Sequence, residues 1–235
     1  MFLALCWIGV IFGFFSATSA RLGGQADYPA PLIMVIHAVL FSGWLAVLTT
    51  QIFLIRGKKL RLHKAVGKLA FLLIPLMVYS AVAAELYSQR FYIRRNDDDL
   101  HFFILPLFYA AAFGVFTAIA VAVARRDPAA HKRLILLGTT VIVGAAYARW
   151  WGGALTDRFG DEFWGTLLNT FAGTNLLLGL AVGYDVVTRG RPHRAYVIGI
   201  PIILLCELLC AYIYHAQWWM PIARQLIQIR LPLST

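Results

Sequence analysis

Apolar runs of about twenty residues recur from one end of the chain to the other, each long enough to cross a hydrocarbon core roughly 30 Å thick. Hydrophobic residues make up 60% of the 235 positions and the mean hydropathy is +0.73, too apolar for a soluble domain of this length. The expected fold is all-α: a polytopic membrane protein with seven transmembrane helices, forming a single transmembrane domain over residues 1–235. The net charge of +10 raises nucleic acid as a partner, but no basic stripe stands apart from a membrane span. The charge is better explained by membrane topology, with the lipid bilayer as the partner and no nucleic acid.

Residues 1–20 have the length of a signal peptide and small residues before Arg21, yet no basic segment precedes the apolar run. They are read as a retained first helix, followed by a loop to residue 30. The second helix is expected from Pro31 to Ile55, the third from His63 to Glu85, the fourth over 101–124 and the fifth over 131–151. Helices six (164–187) and seven (195–219) complete the set, with Trp218 and Trp219 as an interfacial belt and a short surface tail beyond them. Pro75, Pro106 and Pro201 fall inside spans, where they would kink helices or shape cavities. The loops after helices two, four and six, with their flanking turns, hold 13 Lys/Arg against only Asp127 and Asp185; the opposite side holds eight Arg against eight acids. The positive-inside rule therefore puts those loops and the N-terminus in the cytoplasm and the C-terminus in the periplasm, in a bacterial inner membrane.

One pattern occurs twice. HAVLFSGWLAVLTTQIFLIRGKKLRLHKAVGKLAFLLIPLMV begins at His37, and HFFILPLFYAAAFGVFTAIAVAVARRDPAAHKRLILLGTTVIV begins at His101. Each copy has a histidine, an apolar run, a basic turn, a second histidine followed by Lys, and another apolar run. Such self-similarity points to a duplicated four-helix core made by helices two to five, over residues 31–153, with helices six and seven and the tail over 154–235.

With this topology His37 and His101 lie toward one face, and His63 and His131 toward the other; from His37 to the cytoplasmic end of helix two is about 18 residues, roughly 27 Å of helix. Two neutral imidazoles facing each other across a helix bundle are what a low-spin b-type haem needs as axial ligands, so the four histidines are candidate iron ligands for two haems. Gly67 and Gly138 share a face with His63 and His131 and would leave gaps for a flat macrocycle. Lys64, Lys132 and Arg133 at one face, and Arg149 or Arg90 at the other, would pair with propionates. The alternative for each histidine is an ordinary interfacial polar residue.

One histidine on each of four consecutive helices resembles the cytochrome b561 family of di-haem transmembrane cytochromes. The phrases LHKAVGKL (62–69) and AHKRLILLGTTVIVGAAYAR (130–149) also resemble an uncharacterised bacterial membrane family known as DUF2306. The first resemblance implies His37 paired with His101, His63 paired with His131, and electron transfer between a donor and an acceptor across the membrane or to quinone. It covers roughly half the chain. The competing expectations are a cofactor-free structural subunit bound to other membrane subunits, and a small-solute or metal-ion transporter.

Glu207 lies near the middle of helix seven, where a carboxylate is costly unless it is protonated, partnered or hydrated. Asn169, Thr170, Thr174 and Asn175 on helix six offer it partners, and a proton or quinol site between the two helices is one reading. A packing hydrogen bond is the other. Asp97, Asp98 and Asp99 would cap the next helix or bind a cation. No phosphate-binding Gly-rich loop, Ser-His-Asp arrangement or clustered-Cys zinc motif is present. Cys206 and Cys210 lie four apart on one helix, which disfavours a disulfide between them.

Overall fold

Inside a bilayer each span must satisfy its own backbone hydrogen bonds, and these apolar runs do so as long helices. In the computed structural model, which describes residues 1–26, 30–95 and 100–228, the order is α1 (Phe2–Leu22), α2 (Leu32–Arg56), α3 (Leu60–Gly67), α4 (Ala70–Ile93), a 3-10 turn (His101–Phe103), α5 (Ile104–Val123), α6 (Pro128–Phe159), α7 (Phe163–Arg189), α8 (Arg194–Tyr214) and α9 (Trp219–Gln228). Seven stretches among the described residues are long and apolar enough to cross a membrane, with α3 and α4 counting as one. The Asp97–Asp99 run lies outside the described residues.

The helix ends follow local chemistry. Pro128 opens α6, where a missing N–H costs nothing, and the Asp127 carboxylate accepts from the Ala130 N–H at 2.9 Å. Gly190 ends α7 with φ +74°, a left-handed conformation that its lack of a Cβ permits. Pro106 sits in the first turn of α5 rather than its interior, so the expected kink has no cause there. Pro75 and Pro201 are inside α4 and α8 as expected.

Two expected helices divide. The third is broken at Lys68–Leu69, so His63 rides on the short α3 while α4 continues to Ile93. The seventh stops at Tyr214, and Trp219 begins the separate α9. Trp219 is buried and stacks on Phe103 with ring centroids 6.4 Å apart, while Trp218 is 48% exposed. Only Trp218 therefore suits an interfacial belt. α9 buries Trp219, Ala223 and Ile227 against Leu86, Leu100 and Phe103, and Arg90 Nε donates to the Ile227 carbonyl at 2.7 Å. That bond shows what Arg90 does in this fold: it ties α9 to α4.

The hub is α6. Buried residues fill 67% of its most apolar window, against 17% in α1 and α2. It packs most extensively on α7 and α5, then on α1 and α8, whereas α2 packs chiefly on α4 and α3. The most extensive helix pair therefore joins the expected fifth helix to the sixth, and the next, α5 with α6, lies within the expected grouping of helices two to five. Small residues explain why. A Cβ on Gly144 would collide with Thr174, one on Gly173 with Tyr147, and one on Gly13 with the Ala146 backbone, so α7 and α1 approach α6 at backbone distance. Trp44 Nε1 donates to Thr139 Oγ1 at 3.1 Å and joins α2 to α6. Phe12, Phe15, Phe53, Phe71, Leu72 and Val187 remain exposed, as lipid-facing side chains should.

Candidate functional site

Two ends of the bundle can be told apart. The turns α2–α3, α5–α6 and α7–α8 carry the cations and form a basic end, where Arg194 donates to Asp127 at 2.6 Å and joins two of the turns. At this end His63 and His131 lie within Coulombic reach of each other. His131 Nδ1 is 2.8 Å from the Ala120 carbonyl, a contact that makes Nδ1 the protonated nitrogen and leaves the Nε2 lone pair free. His63 Nδ1 is buried without a hydrogen-bond partner, and α3, which has no buried residue, packs chiefly on α2. Lys64 and Lys132 are exposed.

Arg133 has a different role from its expected one. It is 2% exposed, and its guanidinium grips Asp185 in α7 through Nε at 2.7 Å and a terminal nitrogen at 2.5 Å. The third nitrogen donates to the Ala129 carbonyl, Tyr196 lies under the guanidinium at 5.8 Å, and Asp185 also accepts from the His193 N–H at 3.1 Å. The residue is thus committed to a clasp between α6, α7 and α8 rather than open to an external propionate. At the same end His193 Nδ1 accepts from the Ala195 N–H; burial, then the nearby Arg133 charge, pushes the His193 pKa below the ordinary value. The Asp127 carboxylate is held low by the Ala130 N–H and then by Arg194.

The far half of the bundle gathers ionisable groups from five helices. His37 lies one to two turns from the far end of α2, and Glu85, Tyr109, Arg149 and Glu207 lie about 8–15 Å from the far ends of α4, α5, α6 and α8. The Arg149 charge acts at His37, Glu85 and Tyr109, and the Glu207 charge at Tyr109. Glu207 is 2% exposed, and Asn175 donates to its Oε2 at 2.9 Å while Oε1 has no partner among the described residues. Asn169 and Thr170 bond Thr156 and each other instead, and Thr174 sits beneath Gly144. Gln89 donates to Glu85 Oε1 at 2.7 Å. Arg149 is exposed, with its guanidinium 5.1 Å from the centre of the Phe14 ring and one nitrogen 3.3 Å from its own Ala145 carbonyl. Among the described residues no acid lies within ion-pair distance of it.

Sequence reasoning missed Glu85, Tyr109 and Asp185. Ending the third helix at Glu85 made that carboxylate terminal; the helix runs eight residues further, and the depth that singles out Glu207 singles out Glu85 too. Asp185 read as one of two acids, with Asp127, among basic turns, and its pairing with Arg133, 52 positions away, is tertiary.

The haem expectation meets this geometry unevenly. At the basic end His131 Nδ1 bonds the Ala120 carbonyl, while His63 rides on α3, which packs chiefly on α2. At the far end the His37 ring lies 4.1 Å from that of Phe41, while His101 lies 5.9 Å from Tyr214. The glycines expected to leave macrocycle gaps are closed: a Cβ on Gly138 would meet Thr117, Phe113 and Phe116, and one on Gly67 would meet Gln51. One open pocket is lined by Lys58–Leu62, next to His63 in the chain, and another lies between α6 and α7 beside Trp151 and Arg158.

Fold and site together define a polytopic α-helical membrane protein with a charged clasp at one end and a layer of ionisable groups in the other half. No family model matches the chain, and neither a curated protein nor a solved structure matches it.

Proposed function

We propose that this protein is a proton-coupled membrane carrier for a small polar solute. The convergence of Arg149, His37, Glu85, Tyr109 and Glu207 from five helices supports this reading. Ionisable side chains inside spans are costly, about 2.5–3.5 kcal/mol each on insertion scales, and characteristically line ion, proton or substrate paths. Glu207, with one oxygen bonded and one unpartnered, is suited to holding a transferable proton, and Glu85 supplies a second carboxyl beside a fixed cation. The Arg133–Asp185 clasp closes the basic end, so release there requires that pair to part or exchange partners. The excess of Lys/Arg at the basic end supports a cytoplasmic position for it in a bacterial inner membrane.

The test is proton movement in proteoliposomes loaded with a pH dye and challenged with inorganic phosphate, succinate, glutamate, lysine and glucose. At least one should drive a pH change that is abolished in Glu207→Gln. No solute-driven proton movement across this panel would refute the carrier reading.

A second reading is favoured by His131 alone: one b-type haem at the basic end, on His63 and His131, as part of an electron-transfer chain to a redox partner or quinone. When bound, haem would supply one-electron chemistry. The Ala120 carbonyl would fix the His131 ring and raise its basicity, and the exposed Lys64 and Lys132 would be available to its propionates. The purified protein would then show a reduced-minus-oxidised haem spectrum, lost in His63→Ala and His131→Ala and kept in His37→Ala. A spectrum without haem bands removes this reading.

A further inference from the structure

We infer that the turn joining α2 to α3, together with the exposed faces of α3, is a binding site for an anionic phospholipid, with Lys58, Lys59 and Arg61 receiving the headgroup phosphate and the apolar flanks of α2 and α4 receiving the acyl chains. This goes beyond the carrier reading and does not depend on it. It requires only that α2 and α4 lie in a bilayer.

Arg56, Lys58, Lys59, Arg61, Lys64 and Lys68 follow one another closely, and the sequence has no acid between Asp27 and Glu85. All six cations are exposed, and none forms an ion pair among the described residues. Like charges gathered this closely repel one another until a counter-charge arrives. Lys58, Lys59, Leu60, Arg61 and Leu62 also line an open pocket of about 440 Å³, so three of the cations share one concavity with two leucines. A ligand matched to that lining carries both a negative group and an apolar part.

The faces of α3 divide in the same way. His63 and Gly67 lie toward α2: Gln51 donates to the His63 carbonyl at 3.2 Å, and a Cβ on Gly67 would stand 3.3 Å from the Gln51 amide nitrogen. Lys68 and Leu69 keep a right-handed helical conformation, so the remaining faces continue past the end of α3. Arg61, Lys64 and Lys68 recur at i, i+3 and i+7 as a basic stripe, and Leu62, Val66 and Leu69 at i, i+4 and i+7 as an apolar one. Leu62 is 49% and Leu69 47% exposed. In water such a stripe is left unburied; at a membrane interface it sits among acyl chains while lysine and arginine stems carry their charges to the headgroups. The spans extend the apolar side, with Phe53 and Ile55 exposed on the last turn of α2 and Phe71 and Leu72 on the first turn of α4. A nucleic acid or an acidic soluble protein would match the cations alone, whereas an anionic phospholipid matches the cations and the apolar surface beside them.

The experiment uses the full chain, delipidated in a neutral detergent and titrated with dioleoyl phosphatidylglycerol or dioleoyl phosphatidylcholine, which share their acyl chains; retained lipid is read by native mass spectrometry. A cation beside an anionic lipid surface is worth about a fivefold factor in affinity, so three of them should give the parent a preference for phosphatidylglycerol of at least about tenfold. Lys58→Gln/Lys59→Gln/Arg61→Gln should lose most of that preference, and Lys58→Arg/Lys59→Arg/Arg61→Lys should keep it. Arg125→Gln/Arg126→Gln/Arg191→Gln removes the same charge from the other two basic turns and should also keep it. Leu60→Ser/Leu62→Ser should weaken retention of both lipids, with unchanged melting temperatures as the folding control throughout. Equal retention of the two lipids by the parent, an undiminished preference in the folded Lys58/Lys59/Arg61 glutamine variant, or an equal loss in the Arg125/Arg126/Arg191 variant overturns the site. Undiminished retention in the leucine variant overturns the apolar part of the match, and displacement of bound phosphatidylglycerol by an equal concentration of inorganic phosphate overturns a phospholipid as the occupant.

Discussion

Replacing Asp185 by Ala strands a buried cation, and the clasp at the basic end makes the size of that effect calculable. Arg133 and Asp185 side chains are each 3% exposed and share two hydrogen bonds of 2.7 and 2.5 Å. Bringing two charges out of water offsets most of their attraction, so the pair as a whole adds little net stability. Removing one partner is another matter: the remaining guanidinium keeps its desolvation penalty and loses its counter-charge, at a cost of about 3–5 kcal/mol. That is roughly two to four orders of magnitude in an unfolding equilibrium. Asp185→Ala also removes the acceptor for the His193 N–H, so it should exceed Asp185→Asn, which keeps an acceptor. The double variant Arg133→Met/Asp185→Leu removes both charges and should recover most of the loss. Equilibrium unfolding of the detergent-solubilised protein, followed by circular dichroism against a denaturing surfactant, measures all four proteins. An Asp185→Ala variant within about 1 kcal/mol of the parent, or a double variant no better than the single one, would refute the reasoning.

The carboxylate of Glu207 separates a proton site from a packing contact: Glu207→Gln should assemble like the parent and lose proton-coupled flux, while Glu207→Leu should destabilise the bundle by stranding Asn175 at about 1–3 kcal/mol; full flux in the Gln variant makes Glu207 structural. Membrane sidedness is read by a Cys placed at Gly57, in the basic turn after α2; an impermeant thiol reagent should label it only from the cytoplasmic side, and labelling from outside intact cells reverses the orientation. Acidification should loosen the start of α8. His193 caps that helix as a neutral acceptor and its folded pKa lies below its unfolded value near 6.5, so the native state binds fewer protons. The stability it contributes is whole above the unfolded pKa, declines as pH falls below it, and is lost through the folded pKa. Hydrogen exchange at Ala195 and Tyr196 should rise over that interval in the parent and stay flat in His193→Asn, which caps without titrating; equal rises in both would point to another group.

Much of this molecule was written locally. Run length and hydropathy were sufficient for seven spans, because a chain segment in lipid has few ways to satisfy its backbone, and Asp127-Pro128 marked the start of α6 through capping chemistry that needs no distant partner. The basic turns were legible for the same reason. What one dimension could not carry was which helix lies at the centre. The repeat starting at His37 and His101 drew attention to helices two to five, but the most extensive packing is between α6 and α7, where Gly144 and Gly173 admit Thr174 and Tyr147. The far-half site shows the same division. Glu207 was recognisable alone, since an acid in the middle of LLCELLCAY needs an explanation wherever the helix packs. Glu85 depended on where α4 ends, and the Phe14 ring under Arg149 comes from α1, far away in the chain. Burial cost is a property of one residue in its span and can be read along the chain; charge compensation is a property of pairs from different helices, and only the tertiary structure decides it.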